Sequence, residues 1–87
     1  MMTQEQRELA RHALGLPNQR NTSYRNHFVT GEGSSDYPHW IKMVEAGYAK
    51  RRAGSPLTGG DDLFWLSRKG AELALKGFET LCQEDFA

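Results

Sequence analysis

The chain has 87 residues and a mass of 9.8 kDa, room for one domain and a single core, which excludes a large two-domain enzyme. Eleven Lys and Arg balance eleven Asp and Glu, so the formal net charge is zero. No long-range field draws the whole molecule toward nucleic acid or an anionic membrane, and any nucleic-acid footprint must be local. One cysteine, Cys82, excludes an internal disulfide, and with three scattered histidines it makes no zinc framework. The chain opens without a basic, apolar leader, and no apolar run approaches the roughly eighteen residues of a membrane span. The sequence therefore predicts a cytoplasmic protein with no membrane partner.

A first helix is predicted over residues 3–14. Thr3 and Gln6 fit a capping box, Leu9, Ala10, Ala13 and Leu14 fall on one stripe, and Gly15-Leu16-Pro17 supplies a left-handed cap and a stop. The polar stretch 18–29 carries Tyr24, Phe28 and Val29 at a spacing one short helix can use, with Thr22 or Ser23 as its cap. Gly31 to Asp36 reads as a turn and N-cap cluster. Beyond it Tyr37, Trp40, Ile41 and Val44 repeat with helical period up to Gly47, and Pro38 is tolerable in the first turn. Residues 48–53 and 63–67 then read as an antiparallel hairpin with a long Gly-rich tip. Ser67 caps a last helix whose predicted apolar stripe is Ala71, Ala74, Leu75, Phe78, Leu81 and Cys82. Residues 1–82 are thus predicted to form one domain, and the acidic end 83–87 to fray.

Two local strings carry more than the element order. The first is Met43-Val44-Glu45-Ala46-Gly47-Tyr48-Ala49-Lys50-Arg51-Arg52, and the second is Phe64-Trp65-Leu66-Ser67-Arg68-Lys69-Gly70-Ala71-Glu72. The first resembles the exit from the recognition helix into the wing of a winged helix-turn-helix domain. The second resembles the wing's return strand entering the next helix, and together the likeness covers about residues 36–75. Its physical logic is that Leu66 anchors the strand, Ser67 caps the helix, and Gly70 lets that helix approach the hairpin closely. The resemblance implies an α+β fold, mainly α and winged-helix-like, with three helices, a β-hairpin wing and a C-terminal helix. It also implies nucleic-acid binding. The small size and the segment Tyr24-Arg25-Asn26-His27-Phe28 resemble uncharacterised phage and prophage proteins.

Local charge gives the candidate contacts. Between residues 18 and 53, Arg20, Arg25, Lys42, Lys50, Arg51 and Arg52 meet only Glu32, Asp36 and Glu45, with Asn26 and His39 among them. These side chains suit the phosphates of DNA or RNA, although a solvated face accounts for the same charges. Leu63 and Trp65 alternate with Phe64 and Leu66. If the latter pair faces inward, the former offers an apolar patch for a homodimer or for a host or phage protein, unless the C-terminal tail covers it.

Other motifs fall short of chemistry. Gly31-Glu32-Gly33 lacks the third glycine of a dinucleotide loop, and Asp61-Asp62 offers too few ligands for calcium. Ser34 or Ser35 with His39 has no orienting acid or oxyanion hole in view, and Cys82 on an apolar stripe reads as a packed thiol. The sequence predicts a non-catalytic module without cofactor or metal, binding nucleic acid or acting in a nucleic-acid-handling complex. The rival expectation is an adaptor or inhibitor, such as a phage factor blocking a host system, that uses the winged helix as scaffold.

Overall fold

Helix α1, Gln4–Leu14, begins as its sequence demands: the Thr3 hydroxyl accepts from the Gln6 N–H at 3.1 Å and the Gln6 side chain accepts from the Thr3 N–H at 2.9 Å. It ends at Gly15, whose φ of 81° suits glycine and whose N–H closes on the Arg11 and His12 carbonyls. A Cβ there would also lie 2.2 Å from the Tyr24 ring. The structure, a computed structural model, describes residues 2–86, for Thr58 the backbone alone.

The short helix predicted within 18–29 does not form. Tyr24 N–H donates to the Leu14 carbonyl at 3.1 Å, His27 N–H to Ala13 at 3.3 Å, and the Arg25 guanidinium to His12 at 2.7 Å. The Ala13 and Leu14 carbonyls at the end of α1 have no helical donor, and these bonds, with Arg25 adding to the His12 carbonyl that Gly15 N–H already engages, hold the segment extended. It runs into strand β1, Phe28–Thr30, before a turn leads to helix α2, Tyr37–Glu45. Pro38 sits in the first turn of α2, and Gly47 (φ 83°) terminates the helix as Tyr48 N–H reaches back to the Met43 carbonyl at 2.8 Å.

Strands β2, Ala49–Arg52, and β3, Asp62–Leu66, form the predicted hairpin. Strand β1 adds to the other side of β3, giving an antiparallel sheet of order β1-β3-β2. Helix α3, Arg68–Ala74, starts on the Ser67 hydroxyl, which accepts from Gly70 N–H at 3.2 Å. Gly70 is required by contact, since a Cβ there would stand 2.0 Å from the Tyr48 carbonyl oxygen.

Helix α3 stops at Ala74 and does not continue to residue 82 as its stripe predicts. Arg11, on α1, donates to the Ala74 carbonyl at 3.0 Å, occupying a group that a longer helix would use internally. Its guanidinium also holds both carboxylate oxygens of Glu79, while Glu79 accepts from Lys76 N–H at 2.7 Å. With those side chains only 9% and 7% exposed, the pair bends the chain back over α1. Phe78, placed on the predicted stripe, is 96% exposed in the resulting turn. Cys82 N–H then bonds the Ser23 hydroxyl at 2.8 Å, and residues 83–85 form a 3-10 turn where fraying is predicted. Phe86 packs against the core, and its carbonyl accepts from Arg68 at 2.6 Å.

The helices cover one face of the sheet. Leu14, Trp40, Met43, Phe64 and Leu66 are sealed between them, with the Trp40 ring 5.2 Å from Phe28 and 5.4 Å from Phe64. Burial of each such side chain contributes about 1.5–3 kcal/mol. This small α+β fold of three helices and a three-stranded antiparallel sheet is compatible with a winged-helix-like arrangement. No helix among the described residues is long and apolar enough to cross a membrane.

Candidate functional site

The pleat of β3 separates two chemistries. Asp62, Phe64 and Leu66 are buried, whereas Leu63 and Trp65 are half-buried and belong neither to the core nor to the side chains packed against it. In the β2–β3 register Lys50 stands opposite Trp65 and Arg52 opposite Leu63; in the β1–β3 register Val29 stands opposite Leu63. Opposed residues in an antiparallel pair share a face. The outer face therefore carries Lys50 and Arg52 on β2, Trp65 and Leu63 on β3, and Val29, 43% exposed, on β1. One pleat before Val29, the exposed His27 extends the same row.

Charge pairing distinguishes Lys50 and Arg52 from Arg51. The ion pairs among the described residues join Arg11 to Glu79 and Arg51 to Asp62, so Lys50 and Arg52 have no carboxylate partner. Arg51, between them in sequence, points to the other face. Its Nε donates to Asp62 Oδ2 at 2.6 Å, and the same carboxylate accepts from the Tyr37 hydroxyl and the Gly54 N–H, both at 2.8 Å. The bonds from Tyr37 and Arg51 hold the Asp62 carboxyl below its ordinary range, while the Arg51 guanidinium is raised by Asp62. Asp62 thus fastens the hairpin to α2 through Tyr37, and Arg51 ties β2 to the same carboxylate.

At the β1 edge, His12, Arg25, His27, Phe28 and Val29 line a groove of about 290 Å³ continuous with the outer face. Arg25 turns Nε and Nη2 onto the His12 carbonyl, and His12 meets Phe28 edge-on at 5.5 Å.

The remaining candidates lie elsewhere. Asn26 accepts from Leu66 N–H at 2.8 Å and donates to the Leu66 carbonyl at 3.0 Å, so its amide continues the ladder in place of backbone. Arg20 is exposed in the turn before Asn21, and Lys42 is exposed on α2. His39 and Ser35 share a groove with Glu5, Glu8 and Asp36, a set of carboxylates that opposes a phosphate. No hydrogen bond joins His39 to Ser34 or Ser35 among the described residues. Val29 and His27 come to lie beside Trp65 because residues 27–30 are extended, whereas the spacing of Tyr24, Phe28 and Val29 predicts a short helix there. The strand signal in the sequence is the β-branched pair Val29-Thr30 after Phe28.

Comparison with family models, with curated proteins and with solved structures returns no match.

Proposed function

We propose that the chain is a small, non-catalytic, winged-helix-like module that binds nucleic acid through the β2–β3 hairpin and works alone or within a nucleic-acid-handling complex. The observation that carries this reading is the side-by-side projection of Lys50 and Arg52 from one face with no carboxylate partner among the described residues. Two such cations neutralise phosphates and release counterions, the dominant source of affinity for a polyanion. The hairpin is favoured over α2 because His39 faces Glu5, Glu8 and Asp36, whereas no acidic side chain lies on the strand positions of the outer face. Arg51 and Asn26 hold the fold, and Arg25 both caps α1 and borders the face.

The rival reading is a protein-binding adaptor or inhibitor, favoured by the apolar strip Val29, Leu63 and Trp65 on the same face. Fluorescence anisotropy with mixed-sequence DNA at low and physiological salt separates the two. Wild-type protein is compared with Lys50→Ala/Arg52→Ala, leaving Arg51 in place. Binding that weakens with salt and is largely lost in the double variant supports the nucleic-acid reading. Absence of binding at low salt with protein on the order of tens of micromolar contradicts it, since even non-specific association is detectable in that range.

A further inference from the structure

The outer face has a second property that phosphate contacts alone leave unused. Between the cations of β2 and the groove beside β1 lie Trp65, Leu63 and Val29, outside the core, the first two half-buried and Val29 exposed. A band thus crosses the sheet from Lys50 and Arg52, over Trp65 and Leu63, to Val29 and His27, and ends at Arg25 and His12. Adjacent strands are ~4.8 Å apart, so the band is about 10 Å wide from β2 to β1, a span that a few nucleotides cover. Asp61, which precedes β3, lies beside Gly31 in a groove with Glu32, Tyr37, Arg51 and Asp62.

We infer that this band is a platform for single-stranded nucleic acid, with an unstacked base lying on Trp65 and the flanking phosphates held by Lys50 and Arg52 on one side and by the Arg25 groove on the other. The inference rests on the nucleic-acid reading above and specifies its ligand. Charge complementarity selects a polyanion, and the apolar centre selects one whose base faces are exposed. A duplex hides those faces within its stack and meets a protein first with phosphates and groove edges. A single strand presents them, and stacking on an aromatic side chain tolerates any base. The alternation of cation, indole and cation-bordered groove is therefore matched by the alternation of phosphate, base and phosphate.

Intrinsic tryptophan fluorescence gives a readout that needs no variant. Trp40 is fully buried in the core, so quenching by added oligonucleotide reports Trp65. The experiment titrates the full chain with oligothymidine, oligouridine and a mixed-sequence duplex, following quenching and anisotropy, and repeats it with Trp65→Leu after a thermal-unfolding check. The expected result is quenching by at least one single strand, tighter binding of that strand than of duplex, and a loss of about tenfold in Trp65→Leu with duplex binding within about twofold of wild type. The tighter of the two single strands distinguishes DNA from RNA as the source. Equal affinity for strand and duplex with no quenching overturns the platform and leaves the nucleic-acid reading standing. Binding of neither, together with a dimer in sedimentation that Trp65→Leu dissolves, makes the face a protein interface and overturns both.

Discussion

The two faces of one three-stranded sheet treat the same residue types in opposite ways. On the inner face Phe28 and Phe64 stack around Trp40, and the charged Arg51 and Asp62 are consumed by each other, by Tyr37 and by the Gly54 backbone. On the outer face Trp65 and Leu63 lie outside the core, and Lys50 and Arg52 have no acidic partner among the described residues. Neighbours in sequence are thus divided by the pleat into groups whose interactions are complete within the chain and groups whose interactions are not. Scattered exposed side chains need no explanation, but an apolar strip bordered by unpaired cations gives a partner both area and charge to engage.

Substitutions on the two faces should therefore break different properties. The largest loss of stability is expected from Phe64→Ala, which empties the space between Trp40 and Tyr37 and should cost about 3–5 kcal/mol in urea unfolding. Next comes Glu79→Gln, which leaves the Arg11 guanidinium buried without its carboxylate and should cost about 3 kcal/mol, releasing the turn after α3. By contrast, Lys50→Ala/Arg52→Ala should alter stability by no more than about 0.5 kcal/mol while lowering the salt slope of single-strand binding by about 1.4. A double variant that unfolds, or one that binds with the wild-type slope, would erase the distinction between the faces.

Acid should act on the completed side alone. Asp62 and Glu79 both have carboxyls held below their ordinary values, Asp62 chiefly by Tyr37 and then Arg51, Glu79 chiefly by Arg11. A depressed folded-state value contributes stability that is present above the unfolded carboxylate range and lost as pH falls through the folded value. The thermal midpoint should accordingly hold down to about pH 4 and decline below it. Asp62→Asn should start from a lower midpoint and show a shallower decline. An unchanged acid profile in that variant would remove Asp62 from the account.

Much of the scaffold is written locally. Thr3, Gln6 and Gly15 delimit α1, Gly47 ends α2, and Ser67 with Gly70 sets the start and close packing of α3, because caps and close approaches depend on residues a few positions apart. The two misplaced helices depend on distant partners. Residues 24–27 are held extended by the end of α1, and α3 is cut short by Arg11, which lies 63 positions before the carbonyl it occupies. The site divides in the same way. Alternation along 62–66 and 49–52 is sufficient to separate Trp65 and Leu63 from Phe64, and Lys50 and Arg52 from Arg51. That Val29, His27 and Arg25 complete the face from the other edge depends on β1 pairing with β3, a contact between segments more than thirty residues apart.

The outer-face platform is best tested by amide and indole chemical-shift mapping by NMR, with a short single-stranded oligonucleotide added to the full chain. The two tryptophans give separate indole signals, one from the core and one from the outer face. The Trp65 indole and the amides of Val29, Lys50, Arg52 and Leu63 are expected to move together while the Trp40 indole stays in place. Shifts centred on α2 around His39 and Lys42, or no shifts at all, would contradict it.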